Sequence, residues 1–331
     1  MDLLVNALHK KGVKIEKLSL EIEQMNHLDV VHIHWPEHYL RKLSRVKHIK
    51  LLFRFVRFIC VAKKKGIPIV WTVHNVNPHE LQVPKSLASI YFGFWHSMVD
   101  GCVYMALETK KQAEQDHVEL SKKSAVIIPH GHYLDVIGDS LSKVAARNEL
   151  GLDSDVFVLC HCGIIKEYKN TLKLMESFTC IQDDSLRLIV AGSCKDSDYN
   201  NKLREVSAKD DRISYKEGFV SADELYKITR ASDLSVLPYL RVTNSGAAIY
   251  SLSCGTPVLG PRLGAFIDLH NEFAASVSLF ESDMSEVVLE KEIAVLRKKP
   301  ESSEGVNLDR LGWDHIAEDT IEFYNQLLSE D

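Results

Sequence analysis

Short apolar runs alternate with longer amphipathic stretches along the whole chain, a pattern that predicts parallel sheets covered by helices on both faces. In the first part the runs fall at 29–34, 68–73, 101–105 and 125–128, with a long helix over 48–65 stopped by Gly66 and Pro68. In the second they recur at 156–162, 186–191, 212–215, 234–237 and 257–259, again with helical patterns between them. The closing stretch 313–328 sets Ile316, Thr320, Phe323 and Leu327 on one stripe of an amphipathic helix. Residues 2–11 read as a helix and 13–18, beyond Gly12, as a strand. A Rossmann domain normally opens with a strand feeding its first helix, so the expected opening strand is missing here. The turn-rich Pro129-His130-Gly131-His132 marks the main boundary. The expected domains are 1–130 and 131–310, each Rossmann-like, with 311–331 as a helix packing back towards the first.

Composition narrows the class. A chain of 331 residues exceeds one small core and suits two α/β domains, and 45% apolar with 26% charged residues is ordinary for a globular protein. The formal charge of −6 gives no case for nucleic-acid binding. Seven cysteines without a CxxC pair suit a reducing compartment. Residues 1–10 lack the apolar core of a signal peptide, and the longest apolar runs are strand-length, so the expected location is cytoplasmic. Within this acidic chain, 41–65 holds ten Lys or Arg and no acid, interleaved with Phe53, Phe55 and Phe58. Such a helix suits peripheral docking on an anionic membrane surface, and equally an apolar face packed on the sheet with solvated basic ends.

From 156 to 269 the chain resembles the donor-binding half of GT-B glycosyltransferases. The residues that carry this are CGIIKEYKN (162–170), LIVAGS (188–193), ISYKEGFVSADELYKITRASDLSVLPY (213–239) and SGAAIYSLSCGTPVLGP (245–261). The first half is similar more loosely, through DVVHIHWPE (29–37), PIVWTVHN (68–75) and IIPHG (127–131). The likeness is to bacterial enzymes that build exopolysaccharide, capsule or lipopolysaccharide. It implies an α/β fold of two Rossmann-like domains whose parallel sheets face each other across a cleft. It also implies a UDP- or GDP-sugar as co-substrate, without a further cofactor, and a saccharide or lipid-linked acceptor bound by the first domain.

The resemblance places a phosphate-binding lysine at Lys169, with Lys166 close by, and a base-holding backbone segment at Gly218-Phe219-Val220. Asn244, Ser245, Gly246 and Ala247 precede a helix predicted over 248–254, so their amides suit a diphosphate; a plain N-cap is the structural alternative. The family's paired glutamates are absent: Val242 and Tyr250 stand in their places, and Ile164 replaces a common arginine. Tyr239, Arg241 and Asn244 are the substitutes expected to meet the donor. Loss of the carboxylates favours an inverting reaction, which needs a base for the acceptor hydroxyl. Glu37 is the first candidate and His74 the second, with Glu80 further along. Their structural alternatives are a helix-start carboxylate and a satisfied loop histidine.

His32 and His34 share one face of a strand, but two ligands without a third predict packing rather than metal. The Asp-Ser-Asp triplets at 153–155 and 196–198 read as turn chemistry, and no metal is expected. Two other functions stay open: a non-catalytic transferase-like subunit, suggested by the missing strand and by Ile164, Val242 and Tyr250, and a nucleotide-sugar epimerase on the same fold.

Overall fold

The computed structural model describes residues 2–40, 46–76, 83–137, 141–281, 283–299 and 306–329. The chain divides into two compact units, Met1–Gly131 with Arg310–Asp331, and His132–Asp309. Unit 1 contains α1 (Asp2–Lys10), β1 (Val31–Ile33), α2 (Val46–Lys64), β2 (Ile69–Val73), α3 (Lys85–Met98), β3 (Gly101–Tyr104), α4 (Leu107–Asp116) and β4 (Ser124–Ile127). Unit 2 opens with α5 (Leu134–Ile137) and α6 (Lys143–Leu150), then β5 (Phe157–Cys162), α7 (Thr171–Thr179), β6 (Leu186–Gly192), α8 (Ser197–Ser207) and β7 (Ile213–Glu217). It continues through α9 (Ala222–Ala231), β8 (Leu234–Val236), α10 (Gly246–Ser253), β9 (Val258–Pro261), α11 (Ala265–Glu272), β10 (Val277–Phe280) and α12 (Glu286–Lys298). The last helix, α13 (Trp313–Ser329), returns to unit 1.

Unit 1 holds a four-stranded parallel sheet in the order β1-β2-β3-β4, with Val31 opposite Ile69, Val70 opposite Gly101 and Gly101 opposite Ser124. All five residues of β2 are buried, as a strand covered on both faces requires. One face meets Phe55, Phe58 and Ile59 of α2 together with Trp95 of α3. The other meets Ile316, Phe323 and Leu327 of α13. The predicted stripe is this buried face: Thr320 joins it by turning its hydroxyl back to the Ile316 carbonyl at 2.6 Å. Gly101 lets the helix approach, since a Cβ there would lie 2.7 Å from Leu327 Cδ1.

Three elements differ from expectation. Residues 13–18 form no strand; the alternation lays Val13 and Ile15 on α1 and α13, beside Leu4, Trp313 and Ile321. The Gln24 side chain binds the neighbouring backbone instead, accepting from Ser19 N–H at 3.0 Å and donating to Lys17 O at 2.9 Å. A period of two thus reports one buried side, not a ladder partner. The strand β10 was not predicted, and α10 begins two residues before its predicted start.

Unit 2 holds a six-stranded parallel sheet in the order β10-β9-β8-β5-β6-β7. From β5 the chain builds outward to β7, then returns to lay β8 on the other side of β5. The loops after β5 and β8 therefore leave in opposite directions, opening a crevice at the carboxyl ends of those strands. Gly192 closes the floor of that region: at φ +156°, a Cβ on it would lie 1.8 Å from the Gly163 carbonyl oxygen. Gly192→Ala should displace the Gly163 turn and cost roughly 1–3 kcal/mol, read as a lower urea midpoint with little change in slope.

Candidate functional site

The loop after β5 begins at Gly163 (φ +118°), passes through a short 3-10 turn, Glu167–Lys169, and enters α7 through Asn170 in the left-handed region (φ 58°). This turn aims the Lys169 ammonium over the Tyr239 ring, 5.2 Å from its centroid, and 3.7 Å from the position a Cβ on Gly163 would take. Burial, and then the Lys166 charge, lower the Lys169 pKa to about 8. The loop after β8 crosses to the same region, with Leu240 N–H bonded to the Tyr168 carbonyl at 2.8 Å. It ends at Ser245, whose hydroxyl oxygen accepts the Ala248 N–H at 3.2 Å and caps α10. The start of α10 borders a pocket of about 310 Å³, whose walls include Tyr133, Gly163, Gly246, Ala247 and Tyr250. Gly246 leaves the room: a Cβ there would stand 3.1 Å from the Tyr133 hydroxyl.

Beneath this pocket lies His161, a residue the sequence reading passed over. Its Nδ1 donates to the Val236 carbonyl at 2.7 Å, and its Nε2 accepts from the Thr171 hydroxyl at 3.0 Å. Burial lowers its pKa to about 4, so the ring is neutral and one tautomer satisfies both bonds. A histidine within the apolar run VLCHC was the available signal.

Unit 1 carries a second cluster at the carboxyl ends of β1 and β2. His32 bonds Tyr324 Oη at 2.5 Å and Thr72 Oγ1 at 2.7 Å, while His34 Nδ1 and His74 Nε2 share a bond of 3.0 Å. His32 stacks on His34 and Trp35 stacks on His74, each with centroids 4.5 Å apart. Burial is the main cause that lowers the pKa values, to about 3 for His32, about 2 for His34 and about 3 for His74. These rings and His130 line a shallow pocket of about 80 Å³.

The stretch 156–290, from β5 to α12, matches the family described as glycosyl transferases group 1. The chain carries a group 1 glycosyltransferase domain. It is a glycosyltransferase of GT-B fold that takes its sugar from a nucleotide donor. A GDP-mannose:glycolipid 4-beta-D-mannosyltransferase of Xanthomonas campestris pv. campestris is 24% identical over 320 residues, covering 95% of this chain and 84% of that protein. A D-inositol 3-phosphate glycosyltransferase of Pseudarthrobacter chlorophenolicus is 26% identical over 220 residues, covering 60% of this chain and 50% of that protein. Among solved structures, sucrose-phosphate synthase from Thermosynechococcus elongatus superposes with a TM-score of 0.64 at 17% identity, covering 87% of this chain and 80% of that one. Anabaena HepE in complex with UDP-glucose gives 0.62 at 14% identity, covering 93% and 80%.

In the transferase, Gly246 and Ala247 wall the 310 Å³ pocket, whereas Lys169, Tyr239 and Ser245 are not among its walls; Lys169 lies over the Tyr239 ring and near Gly163, and Ser245 caps α10. Lys166 stands at the head of the 3-10 turn, and Asn244 directly precedes the cap. Arg241 is exposed, with its guanidinium 6.0 Å from the Tyr168 ring centroid. Gly218, Phe219 and Val220 follow β7 at the sheet edge and do not line the 310 Å³ pocket; Phe219 is 93% exposed. Of the two residues at the glutamate places, Tyr250 walls the pocket in edge-to-face contact with Tyr133 at 5.4 Å. Val242 instead presents its carbonyl to Gly264, where a Cβ would meet the oxygen at 2.1 Å.

His74 reaches the unit-1 pocket, whereas Glu37 lies in the 3-10 turn Pro36–Leu40, only 4% exposed, and is not among the pocket's walls. Glu80 lies outside the described residues. Asp196 of the second Asp-Ser-Asp triplet caps α8, accepting from Tyr199 N–H at 2.9 Å.

The depressed Lys169 pKa gives a pH dependence of definite sign. The ammonium is charged below about pH 8 and neutral above, so the ligand-free transferase loses its cation as pH rises. Nucleoside diphosphate affinity should fall about tenfold between pH 7 and 9 and stay nearly flat in Lys169→Arg, as calorimetric titrations would read.

Proposed function

We propose that the chain transfers a sugar from a GDP- or UDP-sugar to a saccharide or lipid-linked acceptor in surface polysaccharide synthesis, with inversion at the anomeric carbon. One observation supports the donor side: the Lys169 ammonium lies 3.7 Å from the position a Cβ on Gly163 would take, and Gly163 shares the walls of one pocket with Gly246 and Ala247 at the start of α10. A diphosphate leaving group develops negative charge as the glycosidic bond breaks, and a desolvated cation with fixed N–H donors stabilises that charge without rearranging. Lys166, Arg241 and the Asn244–Ala247 backbone add to the positive field, and Gly218-Phe219-Val220 remains the candidate segment for the base. No metal is required in this scheme, and the only co-substrate is the nucleotide sugar.

The acceptor side is assigned to unit 1. The Xanthomonas relative's name gives a glycolipid acceptor and a β-linkage, which from an α-linked donor requires inversion. His74 is the favoured base because it opens onto the pocket; burial keeps its ring neutral but also weakens it as a proton acceptor, so this role requires the bound acceptor to raise its basicity. Glu37 is retained as the alternative base. His74→Ala should lower kcat by roughly 10²–10⁴-fold with donor affinity kept, and Glu37→Gln should have the smaller effect. Product NMR tests the stereochemistry: an α-linked product would refute inversion. Calorimetry with GDP, UDP and their sugar conjugates tests the donor, and Lys169→Ala should weaken whichever binds.

Peripheral membrane contact completes the proposal. Among the described residues no helix is long and apolar enough to cross a membrane. In α2, Phe55 and Phe58 enter the core, while Phe53 (76% exposed) and Ile49 (50%) stand outward with Lys47, Lys50 and Arg57. Residues 41–45 of the basic segment lie outside the described residues. Lipid vesicles containing phosphatidylglycerol should bind the chain in a salt-sensitive manner, and Phe53→Ala with Lys50→Glu should weaken that binding about tenfold or more. Equal binding to neutral vesicles would refute this contact.

A further inference from the structure

The unit-1 pocket is electrically neutral throughout. None of its walls among the described residues is Asp, Glu, Lys or Arg, and its histidines are held uncharged by burial. A phosphate or an ammonium would find no counter-charge there, and removing either from water without one is costly. The imidazoles among its walls have a particular character. In the His34–His74 pair one neutral imidazole donates and the other accepts. Whichever way that proton sits, the two nitrogens left over, His34 Nε2 and His74 Nδ1, comprise one donor and one acceptor. A hydroxyl group matches such a pair because it too donates and accepts, whereas a phosphate oxygen only accepts. Beside the pair stands the Trp35 indole, packed on His74 and still 45% exposed.

A flat aromatic surface next to paired donor and acceptor sites, with Val103 and Ile316 contributing an apolar floor, suits a ligand with apolar C–H faces and a hydroxyl rim. We propose that this pocket is a subsite for an uncharged pyranose ring of the acceptor, laid against Trp35 with its hydroxyl edge at the His34–His74 pair. With a volume of about 80 Å³ the pocket takes the edge of one ring and not a whole disaccharide. The assignment rests on the reading of unit 1 as the acceptor domain, and it separates the sugar part of an acceptor from any diphosphate it carries. Trp35 acts here as a binding surface, distinct from the proton transfer given to His74.

The test uses the full chain and cellobiose as a neutral saccharide probe, followed by tryptophan fluorescence in the unaltered chain and by NMR titration of cellobiose in the unaltered chain and in every Trp35 variant, with GDP and UDP calorimetry on the same samples. Saturable quenching with a dissociation constant in the millimolar range is expected. Cellobiose binding should be weakened about fivefold in Trp35→Ala, the size expected for one lost aromatic contact, and less in Trp35→Phe, with nucleotide affinity unchanged. Trp35→Leu, which fills the volume without a ring, carries the same comparison if the alanine variant fails to fold. No quenching in the unaltered chain, equal cellobiose affinity without the ring, or displacement of cellobiose by inorganic pyrophosphate would each overturn the subsite. Loss of nucleotide binding in the unaltered chain would instead count against the donor reading, independently of the cellobiose result.

Discussion

Between β5 and β8 the second sheet reverses its direction of growth, and the donor side of the molecule depends on how firmly that seam is held. Parallel strands joined by crossovers leave their loops on one edge; where the order reverses, two such loops diverge and a crevice opens. His161 bonds across the seam to the Val236 carbonyl and, through its other nitrogen, to Thr171 at the start of α7. The loop bearing Lys169 therefore has both its ends tied to one buried ring. Because that ring is neutral, the tie adds no charge of its own beneath Lys169.

The two units use burial to opposite electrostatic ends. In unit 2, partial burial destabilises the Lys169 ammonium without removing its charge at neutral pH, so a diphosphate that restores a counter-charge is rewarded by the desolvation already in place. In unit 1, deeper burial strips the charge from three histidines, which then satisfy one another, Thr72 and Tyr324. Under the proposed function the first arrangement serves the charged leaving group and the second the uncharged nucleophile, and a glycosyl transfer needs both.

The second half was readable because its signals are local. The strand runs, the glycine that lets α10 approach the pocket, and the lysine after β5 all lie in contiguous motifs whose geometry follows from backbone conformation. Signals that depend on what lies opposite were not decided by the sequence. The alternation at 13–18 lies on helices rather than in a sheet, and of three phenylalanines in one basic stretch two are core and one is surface. Burial likewise separates the two candidate bases: the 3-10 turn buries Glu37, while His74 lines the pocket. The tie made by His161 was invisible for the same reason, as Val236 is 75 positions away.

By itself, the sequence determined the class of fold, the positions of most strands along the chain, the stripe of α13 and the motifs through which the second half resembles a donor-binding domain. These follow from periodicity and from turn residues, which act over a few positions. Only the tertiary structure decided which histidines share a pocket, that they are neutral, that Tyr250 walls a cavity where the resemblance calls for a carboxylate, and that Trp35 stands free beside His74. Those properties arise from contacts between strands whose separation along the chain is long. Burial, and with it charge state and the direction of each hydrogen bond, is set by neighbours that a one-dimensional pattern does not encode.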